Sequence, residues 1–420
     1  MAAAEMKRAI VIGAGIVGAC TGLELERRGY EVTLVDRLPP GEGCSFGNAG
    51  ILSSQAVVPM ATPGIHKKAL GMLTDPDGPL TVRLSSLRLT VPWLWRMLKA
   101  SRAERMAPIA DAMKALYATT VELHEALARE AGVPELVVPG RYLYVYRDPA
   151  NADVEKGLGW RLRRERGAEL EVFDGAALQE IEPELSPIYK RGVRVGPLAK
   201  TTNPHRLTAA YARLLERKGG RILKAEVREI VPAATATAPI AVETSAGRLE
   251  AELLVVAAGA WSLDLLRPLG VKFSLIAERG YHLTYPEPGF ALSHMVSEGE
   301  RYFALTTMEM GLRFAGTDEL SHADDAPRWR RADVLARFAP EMFPRLGTAN
   351  PSRWSGPRPG TPDSLPVIDR VPGQPRILIA CGHGHLGLTG GPMTGRIVGA
   401  LASGERLNLD LAPYAVTRFQ

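Results

Sequence analysis

Three glycines, Gly13, Gly15 and Gly18, stand between a short apolar run at 9–12 and a helical pattern that reaches Arg28, and nothing else in the chain limits its fold so tightly. In a strand-to-helix turn the first glycine allows the sharp bend, the second lets backbone approach a pyrophosphate, and the third lets the helix pack closely on the strand. Gly29 stops the helix, and a second strand at 31–35 closes on Asp36. This is a β-α-β unit of the dinucleotide-binding kind. Ile16 and Val17 sit at the positive end of its helix, where phosphates bind. Asp36 is placed to accept hydrogen bonds from a ribose, and it repels a 2′-phosphate. Arg37 falls either beside the adenine or in solvent.

A chain of 420 residues exceeds the usual size of one core, so two domains or one large interleaved fold are expected. With 46% hydrophobic and 23% charged residues it reads as a soluble globular protein, and no stretch reaches the roughly 18 apolar residues of a membrane span. The net charge of +5 is spread along the chain, which argues against a nucleic-acid partner. Cys20, Cys44 and Cys381 are far apart and form no C-x-x-C pair, so neither a disulfide framework nor a metal site is expected. A reducing cytosol is the simplest setting. Residues 1–8 are too short and too mixed for a secretory signal.

From 38 to 60 the chain carries Gly41, Gly43, Gly47 and Gly50 and reads as a long irregular loop. Residues 87–130 look helical, with Val91, Leu94, Trp95 and Leu98 on one stripe and Arg96, Lys99, Arg102 and Arg105 elsewhere. Such a helix either packs on a neighbour with its basic face solvated or rests on an anionic membrane. A strand follows at 142–146, and a helix at 207–218 ends on Gly219-Gly220. Strands are predicted at 221–225, 241–244, 253–257, 281–285, 302–306, 312–316 and 376–380, and a last helix from about 392 to 403.

The fingerprint alone does not separate FAD from NAD. A second glycine-rich loop does, running from Gly382 to Gly391 and opening that last helix. A helix N-terminus there stabilises negative charge on a reduced flavin, and small residues let backbone lie against the ring system.

Three segments complete a pattern: Gly43-Cys44-Ser45-Phe46-Gly47-Asn48-Ala49-Gly50, Trp354-Ser355-Gly356-Pro357-Arg358-Pro359-Gly360, and the Gly382–Gly387 loop. Together they resemble the D-amino-acid dehydrogenase family, within the glycine oxidase and D-amino-acid oxidase superfamily. The resemblance implies an α/β fold: a discontinuous, Rossmann-like FAD-binding domain from 1–85, 200–272 and 350–420. Between its parts lies an inserted α+β substrate domain from 86–199 and 273–349, carrying an antiparallel sheet. It also implies flavin contacts from Ser45, Asn48, Ala49, Gly50 and Ile51, an adenine contact from Val227, and pyrophosphate contacts from Ala258, Gly259 and Trp261. The resemblance further implies that Gly384, His385, Leu386, Gly387, Leu388 and Thr389 line the flavin from the C-terminal loop.

By the same resemblance Arg358 grips the substrate carboxylate and Tyr302 shares it. A planar guanidinium suits the first role because it holds a carboxylate by two parallel hydrogen bonds. An exposed arginine in a proline-stiffened loop is the plainer alternative, and Tyr302 reads equally as a strand tyrosine. His383 or His385 either hydrogen-bonds the flavin or amine, or merely caps the loop. Cys381 sits at a strand end rather than at a flavin-linking position, so non-covalent FAD is expected. Departures at Phe46-Gly47 and at His385 leave the substrate side chain open.

The implied reaction moves a hydride from the α-carbon of a D-amino acid to flavin N5, with electrons passing on to a quinone or carrier, or to O2. Small residues around Gly47 favour a proline-like substrate, D-proline or cis-4-hydroxy-D-proline. The alternatives are a glycine- or sarcosine-type amine oxidase using O2, and a flavin-bearing partner subunit of a heteromeric dehydrogenase. A nicotinamide enzyme, by contrast, would be colourless. The expected location is cytoplasmic, with peripheral contact at the cytoplasmic face of the inner membrane as the variant.

Overall fold

The strand Lys7–Ile12 ends in four buried residues and lies between Tyr30–Asp36 and Leu253–Val256, parallel to both. In the computed structural model, which describes residues 7–419, these three form the middle of a six-stranded sheet. Residues 1–6, most of the stretch read as too short for a signal, lie outside the described residues. Leu253–Val256 is buried throughout, as a parallel strand covered on both faces must be. Arg221–Lys224 extends one side, and Gln374–Cys381 followed by the antiparallel edge strand Val367–Val371 extends the other.

The helix Ile16–Glu26 packs against Gly387–Ser403, from the opposite end of the chain. Small residues set how close they come. A Cβ on Gly395 would stand 2.7 Å from the Cys20 carbonyl oxygen, and one on Gly391 would stand 3.1 Å from Ile16 Cγ1. The sequence predicts this last helix from about 392, yet it begins earlier, at Gly387, and passes through Pro392. Proline has no N–H, so the Leu388 carbonyl loses its helical donor. His124 Nε2 replaces it at 2.9 Å. A carbonyl can only accept, so the buried His124 carries its proton on Nε2.

The helical stretch at 87–130 is three helices, Leu87–Ala100, Ala103–Tyr117 and Thr120–Ala131. On the first of these the stripe of Val91, Trp95 and Leu98 faces outward, with Val91 58% and Trp95 57% exposed. The helix instead attaches through Trp93, which is buried and donates from Nε1 to the Gly360 carbonyl at 3.0 Å. The period was read correctly, but the buried face is the one centred on Thr90 and Trp93.

A second sheet orders its main strands Ser352–Gly360, Ile276–Tyr285, Gly311–Ser321, Phe303–Met308, Met295–Glu298, Val137–Tyr146, Arg191–Thr201 and Ile51–Leu52. It is mainly antiparallel, but Met295–Glu298 runs parallel to Val137–Tyr146, and Leu80–Val82 runs parallel to Gly311–Ser321. Ile276–Tyr285 is buried at every position. Tyr302, expected inside a strand, instead precedes Phe303–Met308 with φ of 59°. A third sheet of three antiparallel strands spans 227–251. The chain therefore has the mixed α/β architecture that its sequence predicts.

Candidate active site

The two sheets enclose a cavity of about 850 Å³. Two helix N-termini open onto it, those of Ile16–Glu26 and Gly387–Ser403, and neither has an acidic residue in its first turn. Both therefore present partial positive charge to whatever fills the space.

The glycine turn fits a pyrophosphate for steric reasons visible in the backbone. Gly13 has φ of 108°, and a Cβ there would run into the Ala257 carbonyl. A Cβ on Gly18 would run into the Gly13 carbonyl, so the third glycine serves the helix–strand contact and does not face the cavity. The Asp36 carboxylate accepts from Ala14 N at 2.7 Å and from Leu38 N at 2.9 Å. It thus holds the turn as well as facing the cavity. Arg37 lies 4.1 Å from the centre of the Trp261 ring, and Trp261 Nε1 donates to Asp324 at 2.7 Å. These residues line the cavity together with Val227, Ala258 and Gly259.

The loop predicted to touch the flavin is stitched across the middle. Ser45 Oγ accepts from Ile16 N at 3.0 Å, and Asn48 Oδ1 accepts from Gly50 N at 2.8 Å. Thr389 Oγ1 donates to the Ile51 carbonyl at 3.2 Å, tying this loop to the C-terminal one. Ser45, Asn48, Ala49 and Ile51 line the cavity, as do Gly384, His385, Leu386, Gly387, Leu388 and Thr389. Gly50 does not; it has φ of 76° and packs against the Thr201 carbonyl. Gly47 lies under the Trp354 indole, which fills the room a side chain would need. The space read from the sequence as pocket is therefore aromatic wall.

His383 is buried, its Nε2 is 2.8 Å from Thr394 Oγ1, and burial lowers its pKa to about 3. His385 opens onto the cavity; crowding by protein, with Arg358 nearby, lowers its pKa to about 4. Both rings are neutral at physiological pH. The Cys44 and Cys381 thiols also border the cavity, and burial pushes each up to about 12.

Arg358, on Ser352–Gly360, and Tyr302 line the same cavity. Across the sheet Arg358 pairs with Glu278, and Gly280, two residues on, pairs with Asp318. Arg358 reaches over Gly280 to Asp318, with Nη2 to Oδ1 at 2.6 Å, and also donates to the Thr317 carbonyl at 3.3 Å. Nη1 and Nε have no partner among the described residues. Burial, reinforced by the Asp318 charge and opposed by Arg358, pushes the Glu278 carboxyl up to about 8. Thr317, like Tyr302, has positive φ, at 51°, an unusual conformation for a β-branched residue.

Sequence reasoning missed Asp318, Glu278, Arg163 and the tyrosines Tyr142 and Tyr144. The signal for the first two was acids just outside predicted strands, a residue type rarely buried without a partner. Arg163 lies on Leu158–Glu165, a helix not predicted, and donates to Tyr144 Oη at 3.0 Å beside the cavity.

The profile of the FAD dependent oxidoreductase family matches residues 8–401. A D-amino-acid oxidase of Bradyrhizobium diazoefficiens is 38% identical over 99% of both chains, and a D-amino acid dehydrogenase of Vibrio cholerae is 31% identical over 97% of this chain and 99% of its own. Among solved structures, glycine oxidase from Geobacillus kaustophilus superposes with a TM-score of 0.75 at 21% identity, covering 98% of this chain and 99% of that one. L-proline dehydrogenase from P. horikoshii gives 0.74 at 20%, covering 99% and 98%. A family profile spanning nearly the whole chain, and a cavity built to receive a dinucleotide between two helix N-termini, place this protein in the FAD-dependent oxidoreductase family.

Proposed function

We propose that this enzyme oxidises a D-amino acid at its α-carbon. The observation that carries the reading is Arg358 and Tyr302 on the same cavity as both helix N-termini, so that a carboxylate can be held where a flavin ring ends. The two curated relatives named for D-amino acids, similar over nearly their full lengths, support the substrate class.

Bound FAD supplies the acceptor for the hydride leaving the α-carbon. The chain's own work is positioning. Residues at 13–17 and 36–37 take the pyrophosphate and ribose, Val227 the adenine side, and the 45–51 and 384–389 loops the ring. Arg358 offers its unpartnered Nη1 to the carboxylate. His383, fixed to Thr394, braces the loop. We take the flavin as non-covalent, since both cavity thiols are held protonated. The division into a flavin domain (1–85, 200–272, 350–420) and a substrate domain (86–199, 273–349) stays a proposal, and Ile51–Leu52, Leu80–Val82 and Ser352–Gly360 from the flavin segments join the second sheet.

A proline-like substrate loses its first ground, because Trp354 covers Gly47. The aromatic lining from Tyr142, Tyr302 and Trp354 supports a compact ring instead. Electrons then pass to a quinone or carrier, with O2 as the alternative. No helix among the described residues is long and apolar enough to cross a membrane. The exposed stripe of Leu87–Ala100 supports peripheral contact with an anionic bilayer at the cytoplasmic face, since no acidic residue occurs from 78 to 103.

The test is anaerobic reduction of the bound flavin by a panel of D- and L-amino acids, glycine and sarcosine. The reading requires reduction by D-amino acids, and Arg358→Met must raise half-saturation by on the order of tenfold or more. An unchanged half-saturation would sink the carboxylate role.

A further inference from the structure

Asp318 is absent from every expectation drawn from the sequence, yet it lines the cavity beside Arg358. Its carboxylate shares the Arg358 guanidinium, and about a quarter of each side chain is open to the cavity (24% and 24%). The placement is built by the sheet. Gly280 and Asp318 are cross-strand partners, and the missing side chain at Gly280 is what lets the guanidinium cross between them. The titratable and charged groups around Asp318 are Arg358 from Ser352–Gly360, Glu278 from Ile276–Tyr285, His385 from the C-terminal loop and Arg331 from Arg330–Met342. The neighbouring strand Leu80–Val82 brings no charge against it.

We propose that Asp318 is a catalytic residue: it receives the substrate ammonium while Arg358 holds the carboxylate, and it takes the proton that the amine must lose before oxidation. This rests on the carboxylate role of Arg358 proposed above. A carboxylate docking at the open side of the guanidinium lies beside Asp318, so an anion alone meets repulsion. A zwitterion does not, because its ammonium, one carbon from the carboxylate, lands between the two anions. One N–H bond then breaks, its proton passes to the Asp318 carboxylate, and the nitrogen keeps the electron pair. That pair forms the C=N bond as the Cα–H pair leaves as hydride to the oxidised flavin, so charge and electrons balance. Glu278, largely protonated at neutral pH, adds no second full negative charge beside the amine.

The experiment uses FAD-loaded protein and two non-oxidisable probes, 2-aminoisobutyrate and isobutyrate, with binding followed by the change in the flavin's visible spectrum. Wild type is expected to prefer 2-aminoisobutyrate by on the order of tenfold to a hundredfold. In Asp318→Asn isobutyrate should bind more tightly, 2-aminoisobutyrate more weakly, and the preference should collapse. Flavin reduction by a D-amino acid should then climb with pH about tenfold per unit, following the free amine in solution. A preference unchanged in Asp318→Asn, while Arg358→Met abolishes isobutyrate binding, overturns the Asp318 role and leaves the carboxylate role standing. Equal isobutyrate binding by wild type and Arg358→Met overturns the carboxylate role itself. Should Asp318→Asn not hold flavin, wild type alone decides: isobutyrate binding as tightly as 2-aminoisobutyrate refutes the proposal.

Discussion

Gly280 leaves open the space that the Arg358 guanidinium occupies: a Cβ there would lie 2.5 Å from Arg358 Cζ. The strand could carry alanine by every local criterion, since Gly280 has an extended conformation, but the arginine could not then cross to Asp318. Gly280→Ala is expected to keep flavin while weakening substrate capture by on the order of tenfold or more, the worth of a displaced charged hydrogen bond. Flavin absorbance and half-saturation for flavin reduction check the two halves separately. Wild-type half-saturation in the variant would show that Arg358 does not need this path.

Glu278 gives a pH dependence whose sign is fixed. Its folded-state carboxyl titrates at about 8 against an ordinary 4.5, so the folded chain binds that proton more tightly than the unfolded one. Stability from this group is complete below 4.5 and is lost as pH rises toward and through 8. Glu278→Gln should therefore gain thermal stability over wild type at pH 9 and little at pH 5. A melting-temperature difference that does not grow with pH contradicts this.

His124 is buried, burial lowers its pKa to about 4, and its Nε2 meets the carbonyl that Pro392 leaves without a donor. His124→Ala removes that donor and opens space, so a loss of about 1–3 kcal/mol is expected. The same change should loosen flavin, because Leu388 belongs to the first turn facing the cavity. Denaturant unfolding and flavin release on dilution report the two effects.

The outward stripe on Leu87–Ala100 predicts sedimentation with vesicles containing anionic lipid, weakened by salt. Val91→Glu combined with Trp95→Glu should abolish it and leave flavin reduction by substrate unchanged. Equal sedimentation of the double variant would remove the stripe from any membrane role.

Much of the fold was legible because its signals are local. Gly13, Gly15, Gly18 and Asp36 lie within one β-α-β unit, and turn chemistry is written in neighbouring residues. The two glycine-rich loops that line the cavity could be read for the same reason. Arg358–Asp318 could not, because it joins strands separated by the third strand between them, and sequence periodicity says nothing about which strands become neighbours. The start of the last helix was misplaced because Pro392 usually marks an early helix position, and its tolerance here depends on His124, far away in sequence. The stripe at Val91 and Trp95 shows a related limit: period reveals an apolar face, but only the surrounding structure decides whether that face is covered.

The two helices whose N-termini open on the cavity begin at Ile16 and Gly387, near opposite ends of the chain. Time during synthesis is thus part of the design. The ribosome must make nearly the whole polypeptide before Gly387–Ser403 can settle against Ile16–Glu26. Until then only one of the two helix N-termini on the cavity exists, so a product truncated before Gly387 is expected to purify without flavin however well its first β-α-β unit has folded.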